Sequence, residues 1–206
     1  MFRSQKGTSA SSTSQSADEI SLVKRAQAKD EQAFDVLYER YFVKIHLYLT
    51  MMVGNGEIAR ELTQEVFLKV WYALPALRKP ETFSTWLYRI ATNIARDLHR
   101  HEKNIRCESY DHDAGFLNMP HIEGPEEIVE AKDSLEKALL RLNWKYRACF
   151  ILYYIQGMPK HKIAEMVDLK ESSVPTYLSN ALEELRVARH RLQSQYEDVK
   201  ERKEKL

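Results

Sequence analysis

The sequence predicts an all-α protein: two small helical domains joined by a flexible acidic linker, the second carrying a helix-turn-helix. Three observations lead there. Only six Gly and six Pro occur in 206 residues, which favours long uninterrupted helices. Apolar residues recur at spacings of three and four, the period of a helix with one buried face. Residues 104–126 break that periodicity, hold Gly115, Pro120, Gly124 and Pro125, and are too long for an ordinary helix connection.

The elements follow in order. Met1–Ala17 is Ser/Thr-rich, without an apolar signal core, and reads as a disordered tail. A short helix from Asp18 to about Ala28 has Ile20, Leu22, Val23 and Ala26 as its apolar side. Asp30 can cap the next helix, whose stripe is Phe34, Leu37, Tyr38, Tyr41, Ile45, Tyr48 and Met52, and Gly54-Asn-Gly56 ends it. A third helix, Glu57 to about Ala73, buries Ile58, Leu62, Val66 and Val70. Pro75–Thr82 is a loop with the pair Arg78-Lys79. A fourth helix, roughly Phe83–Lys103, buries Trp86, Leu87, Ile90, Ile94 and Leu98. The first domain is thus 18–103 and the acidic linker 104–126.

The second domain, 127–195, opens with a helix to Leu142 that carries Ile128, Leu135 and Leu139. Asn143 can cap the next helix, with Ala148, Ile151, Leu152 and Ile155 inward and Gly157 as its C-terminal cap. Pro159 suits the first turn of a short helix ending near Val167, and Asp168-Leu169 makes a tight turn. The last helix starts near Ser172 and passes Arg191, leaving a charged tail at 196–206.

Charge is segregated beneath a formal total of +1. Residues 107–130 hold seven acids and no Lys or Arg, whereas 78–106 hold seven Lys or Arg against three acids. Local basic surface is what meets nucleic acid. Two cysteines, Cys107 and Cys149, fit a reducing cytoplasm rather than a disulfide scaffold, and no apolar run reaches the length of a membrane span. His99, His101, Cys107 and His112 match no standard zinc spacing. No phosphate-binding glycine loop, dinucleotide fingerprint or nucleophile–base pair is present, so neither an enzyme nor a cofactor is expected.

Three surfaces remain. In Lys160–Ser179 the residues Ile163, Ala164, Val167, Leu169, Val174 and Leu178 have helix-turn-helix spacing, with Asp168 tolerating the left-handed turn position. Such a unit sets its second helix in the major groove, here offering Ser172, Ser173, Thr176, Tyr177 and Asn180, with Arg186 placed for phosphate. An ordinary helical hairpin would show the same spacing. On the fourth helix Arg89, Asn93, Arg96 and Arg100 share a side away from the core, beside Arg78, Lys79 and Phe83. Cations with nearby aromatics are the ingredients for holding single-stranded DNA. On the third helix Glu61, Gln64, Glu65, Lys69 and Trp71 surround the apolar stripe.

The segments Leu22–Ala26, Ala33–Tyr41, Glu61–Phe67, Trp86–Asn93 with Asp97, and Ile163–Glu165, in that order and spacing, resemble bacterial sigma factors of the extracytoplasmic-function type. The resemblance spans roughly 18–103 and 127–191. It implies that the first domain is region 2, whose third helix docks on the clamp coiled coil of the largest subunit of RNA polymerase core through Leu62, Gln64, Glu65 and Phe67. It implies that the loop and fourth helix engage the minus-ten promoter element through Arg78, Lys79, Phe83, Arg89, Asn93, Asp97 and Arg100. The second domain would be region 4, reading the minus-thirty-five element with Ser172, Ser173, Thr176, Tyr177, Asn180 and Arg186, and an anti-sigma factor is an expected partner. Two departures stand out: Glu61 where the family usually has Asp, and Pro175, Tyr177 and Asn180 where it usually has Lys or Arg. The competing readings are a stand-alone helix-turn-helix regulator and an interaction module with a degenerate DNA-binding domain.

Overall fold

The structure is a computed structural model that describes residues 9–108, 135 and 137–188, with side chains from residue 17 to residue 101 and again from 135 onward. Among the described residues every regular element is helical. The chain order is α1 (Ser9–Gln27), α2 (Glu31–Val53), α3 (Gly56–Ala73), two single 3₁₀ turns at Leu74–Ala76 and Pro80–Thr82, and α4 (Phe83–Glu108). A helical stretch at 137–141 (α5) follows, then α6 (Trp144–Phe150) running into a π-helical segment Ile151–Ile155, α7 (Lys160–Val167), a 3₁₀ turn Glu171–Ser173 and α8 at 174–188.

Local chemistry sets most of the boundaries. The Asp30 side chain accepts from Ala33 N–H and caps α2; that bond, and then Arg25 beside it, hold its carboxyl below the usual carboxylate range. Gly54 closes α2 at φ 77, a conformation that only glycine adopts without strain. Asn55 then caps α3, its Oδ1 accepting from both Glu57 and Ile58. Asn55→Ala is therefore expected to cost about 1 kcal/mol, read as a lowered urea midpoint with an unchanged slope. Asn143 caps α6 through Lys145 N–H as its sequence position suggested.

Several boundaries differ from the sequence expectation. α1 begins at Ser9 and not at Asp18, so part of the expected tail is helical; no Gly or Pro between Thr8 and Asp30 stops the helix from running back. α4 extends to Glu108, taking 104–108 out of the linker, because the first breaker in the sequence is Gly115. The segment Pro75–Thr82 is two tight turns rather than an open loop, with Pro75 second in one turn and Pro80 first in the other. The helix after Asn143 widens into a π segment at Ile151. The rest of the linker, the start of the second domain, residues 1–8 and the tail 196–206 lie outside the described residues.

α1, α2, α3 and α4 pack together around Val23, Leu37, Ile45, Tyr48, Val66, Val70 and Leu87, all fully buried. Buried hydroxyls are satisfied: Tyr48 and Thr92 share a 2.8 Å hydrogen bond, and Thr63 donates to the carbonyl of Ala59 at 2.6 Å. Burial holds Tyr48 and Tyr88 well above the usual phenol range and pushes the Cys149 thiol up to about 12. A smaller cluster of Leu139, Leu142 and Ala181 joins α5 to α8.

Candidate nucleic-acid and polymerase interfaces

The helix-turn-helix forms as its spacing requires. Ile163, Ala164, Val167, Val174 and Leu178 are buried and Leu169 half-buried. Asp168 sits in the left-handed region at φ 54, and its N–H returns to the carbonyl of Ala164. A 3₁₀ turn then launches α8 with Ser172, Thr176 and Asn180 exposed; Ser173 and Tyr177 are half-buried. Tyr177 packs edge-on against Tyr146 of α6 at 5.2 Å, and Asn180 donates to the Tyr146 hydroxyl at 3.1 Å. Tyr146, which the sequence reading missed, thus fixes the orientation of two of the six expected base- and phosphate-facing residues. Arg186 is exposed and lies 3.4 Å from Glu183.

On α4 the exposed arc carries Arg89, Asp97 and Arg100, with Asn93 and Arg96 half-buried at its edge. Asp97 lies 3.5 Å from Arg96 and 4.0 Å from Arg100, so a carboxylate sits within the cationic strip. Arg78 and Lys79 are exposed on the preceding turns. Those turns are held by α1: Gln27 donates to the carbonyls of Leu74 at 3.1 Å and Leu77 at 2.6 Å, and Thr82 Oγ1 donates to Lys79 O at 2.7 Å. No sequence signal marked Gln27, since its partners are backbone atoms distant in sequence. Phe83 is fully buried, edge-on to Tyr41 at 5.6 Å. That corrects its expected place in the DNA strip: the ring is the first anchor of α4 in the core.

On α3 the exposed arc carries Glu61, Gln64, Glu65 and Lys69, with Glu65 and Lys69 2.6 Å apart. Leu62 is half-buried at the edge of the arc. Phe67, expected in the docking strip, is only 4% exposed and packs on Tyr38 at 4.6 Å, so it supports the helix from within. Two residues that the sequence reading passed over replace it outside: Leu68 is 57% exposed and Tyr72 71%. The positions 61, 65, 68 and 72 share one helical face, a pattern present in the sequence. Trp71 is half-buried, capped by Lys29 4.4 Å above its ring and by Phe34 at its edge.

Comparison with known proteins decides what these surfaces belong to. Residues 37–105 match the family model for sigma-70 region 2, and residues 132–185 match sigma-70 region 4. The two matches fall on α2–α4 and on the segment holding α5–α8. The chain belongs to the sigma-70 family, as an extracytoplasmic-function sigma factor. This sigma factor is 29% identical over 177 residues to the ECF RNA polymerase sigma factor SigW of Bacillus subtilis, covering 80% of the chain and 92% of SigW. It is 31% identical over 185 residues to the ECF RNA polymerase sigma factor BldN of Streptomyces coelicolor, covering 84% of the chain and 66% of BldN. Its fold matches the sigma factor RpoE in a structure with the anti-sigma factor NepR from Bartonella quintana, at TM-score 0.62, 15% identity, and coverage of 75% of this chain and 95% of that one. It is therefore an RNA polymerase sigma factor with region 2 and region 4. No helix among the described residues is long and apolar enough to cross a membrane, and no group of three or more metal-ligating side chains occurs among them.

Proposed function

We propose that this sigma factor acts in the cytoplasm, bringing RNA polymerase core to promoters by dividing the work among three helices. The α3 strip docks on the clamp coiled coil of the largest subunit through Gln64 and Glu65, with Leu62 at the edge and Leu68 and Tyr72 supplying apolar contact. Exposed apolar groups beside paired charge are the composition of an interface core within a polar rim. Arg78, Lys79, Arg89, Asn93 and Arg100 hold the minus-ten element during strand opening, with Asp97 among them. The observation that carries this reading is the exposed arc of α4, where cations and an amide line the side opposite Leu87 and Ile94. Ser172, Ser173, Thr176, Tyr177 and Asn180 face the minus-thirty-five element, with Arg186 on phosphate. Hydroxyls discriminate bases weakly, so promoter choice rests more on α4 than on α8. An anti-sigma factor is proposed as the restraining partner, as for the RpoE relative with NepR.

The test is run-off transcription with purified core polymerase and a pool of promoter fragments from the source genome. Defined transcripts that fall at least about tenfold in the Gln64→Ala, Glu65→Ala double variant are expected. Transcripts indifferent to that change would remove α3 as the docking helix. A complete lack of transcripts would sink the initiation role of this chain.

A further inference from the structure

Arg78 and Lys79 stand between two anchored peptide planes. Gln27, half-buried in the last turn of α1, donates through Nε2 to Leu74 O at 3.1 Å and to Leu77 O at 2.6 Å. Carbonyls only accept, so the pair of them selects the amide nitrogen and sets the orientation of the side chain. Leu77 O belongs to the planar peptide unit that leads into Arg78, and holding it restricts the dihedrals on either side, ψ of Leu77 and φ of Arg78. On the far side Lys79 O accepts from Thr82 Oγ1 at 2.7 Å and from Thr82 N–H at 2.9 Å. Lys29 adds a further tie from the end of α1: its Nζ donates to Trp71 O at 3.2 Å. The carbonyls of Trp71, Leu74 and Leu77, where the chain leaves α3, thus take donors from one short stretch of α1 and the residues just after it. Carbonyls at a helix exit have no partner within the helix, so these donors meet a need that α3 itself cannot.

We propose that Gln27 is a positioning residue for the minus-ten element: it presents Arg78 and Lys79 on a preset backbone, so that DNA does not have to order the turns as it binds. This deepens the role proposed above for those two cations and rests on it. The reason is entropic. Fixing the backbone of a residue costs conformational freedom, and a surface ordered beforehand spares the complex that cost. The turns have little of their own to keep them ordered. Each is a single 3₁₀ turn of three residues, and Leu77 and Lys79 between them are extended. Leu74 and Phe83, both fully buried, anchor the two ends of the segment, whereas Arg78 and Lys79 near its middle are exposed. Gln27 ties down the stretch that the apolar anchors leave free. Its chemistry suits the task. An amide donates to both carbonyls without charge, which leaves the local field to Arg78 and Lys79; a carboxylate of the same shape has no proton to give at neutral pH.

The test uses the full chain in holoenzyme with core polymerase. The probe is a promoter fragment recovered from the run-off pool and made single-stranded across the minus-ten element. Gln27→Met keeps side-chain length and helix propensity but removes both donors. Its Kd for the probe should rise about five- to tenfold, with affinity for core polymerase unchanged. Gln27→Lys restores a donor and should recover most of the loss. The deciding measurement is a double-mutant cycle. Arg78→Ala, Lys79→Ala weakens binding by itself, and adding Gln27→Met to that pair should cost less than about twofold more, because nothing is left to position. Where Gln27→Met does not fold by circular dichroism, Gln27→Ala, which lets water reach both carbonyls, takes its place in the cycle. Parent-like binding by the folded Gln27 variant would overturn the inference alone, provided the alanine pair shows its loss. Full additivity in the cycle would do the same, making Gln27 a merely structural residue. Parent-like binding by the alanine pair would take both cations off the DNA, and the inference would fall together with that part of the proposed function.

Discussion

Arg147→Ala is expected to be the most destabilising single substitution in this chain outside the apolar core. The guanidinium is buried and serves three backbone carbonyls, those of Met52, Leu140 and Leu142. Truncation strands those acceptors where water reaches poorly, at roughly 1–3 kcal/mol for each that stays unsatisfied. Partial rescue by water and by helix bonds leaves an expected loss on the order of 3 kcal/mol, or roughly 6–12 °C in Tm for a chain of this size. Arg147→Lys should recover less than half, because an ammonium on a flexible stem cannot reproduce a planar fork aimed at three acceptors. Differential scanning calorimetry on both variants decides it. A Tm within about 2 °C of the parent for Arg147→Ala would mean that the carbonyls are solvated and the clasp carries little.

Arg147 also shows where reading the sequence stops. Asp30, Asn143, Gly54, Gly157 and Asp168 were legible because each acts on backbone within a few residues, so the chemistry of the position is contained in its neighbours. The helix-turn-helix was legible for the same reason: its buried set lies within sixteen residues and obeys a single period. Arg147 reaches Met52, ninety-five residues away, and an arginine on a helix otherwise reads as solvent-facing. α4 is the intermediate case. Leu87, Ile90 and Ile94 mark one buried face, yet Tyr88, Ala91, Thr92 and Ala95 widen it to more than half the helix. Ala and Thr are neutral in hydropathy patterning, so only the packing of α2, α6 and α7 around α4 reveals that second face. The candidate strips were found through their charge, while the aromatics assigned to them were misplaced. Phe67 and Phe83 stand beside exposed residues in sequence, but helical rotation turns both inward. Leu68 and Tyr72 were passed over because apolar residues in a helix are credited to the core by default.

The second large effect is expected on α4. In the double variant Arg89→Ala, Arg100→Ala the region 2 core should be untouched, since both side chains are exposed. If each neutralises one phosphate of opened promoter DNA, the dependence of log affinity on log salt should flatten by about 0.7 per residue, about 1.4 together. The measurement is holoenzyme binding to a promoter fragment over a series of salt concentrations, using core polymerase with each form of the factor. Asp97 sharpens the test. It lies 3.5 Å from Arg96 and 4.0 Å from Arg100, where it competes with phosphate for those guanidiniums. Asp97→Asn keeps the shape and removes that competition, so affinity should rise severalfold at low salt, where exposed ion pairs still matter. A loss of affinity in Asp97→Asn that depends on promoter sequence would instead make Asp97 a reader of bases. An unchanged salt slope in the double arginine variant would take the α4 strip off the DNA altogether, and with it the observation on which the promoter-opening role rests.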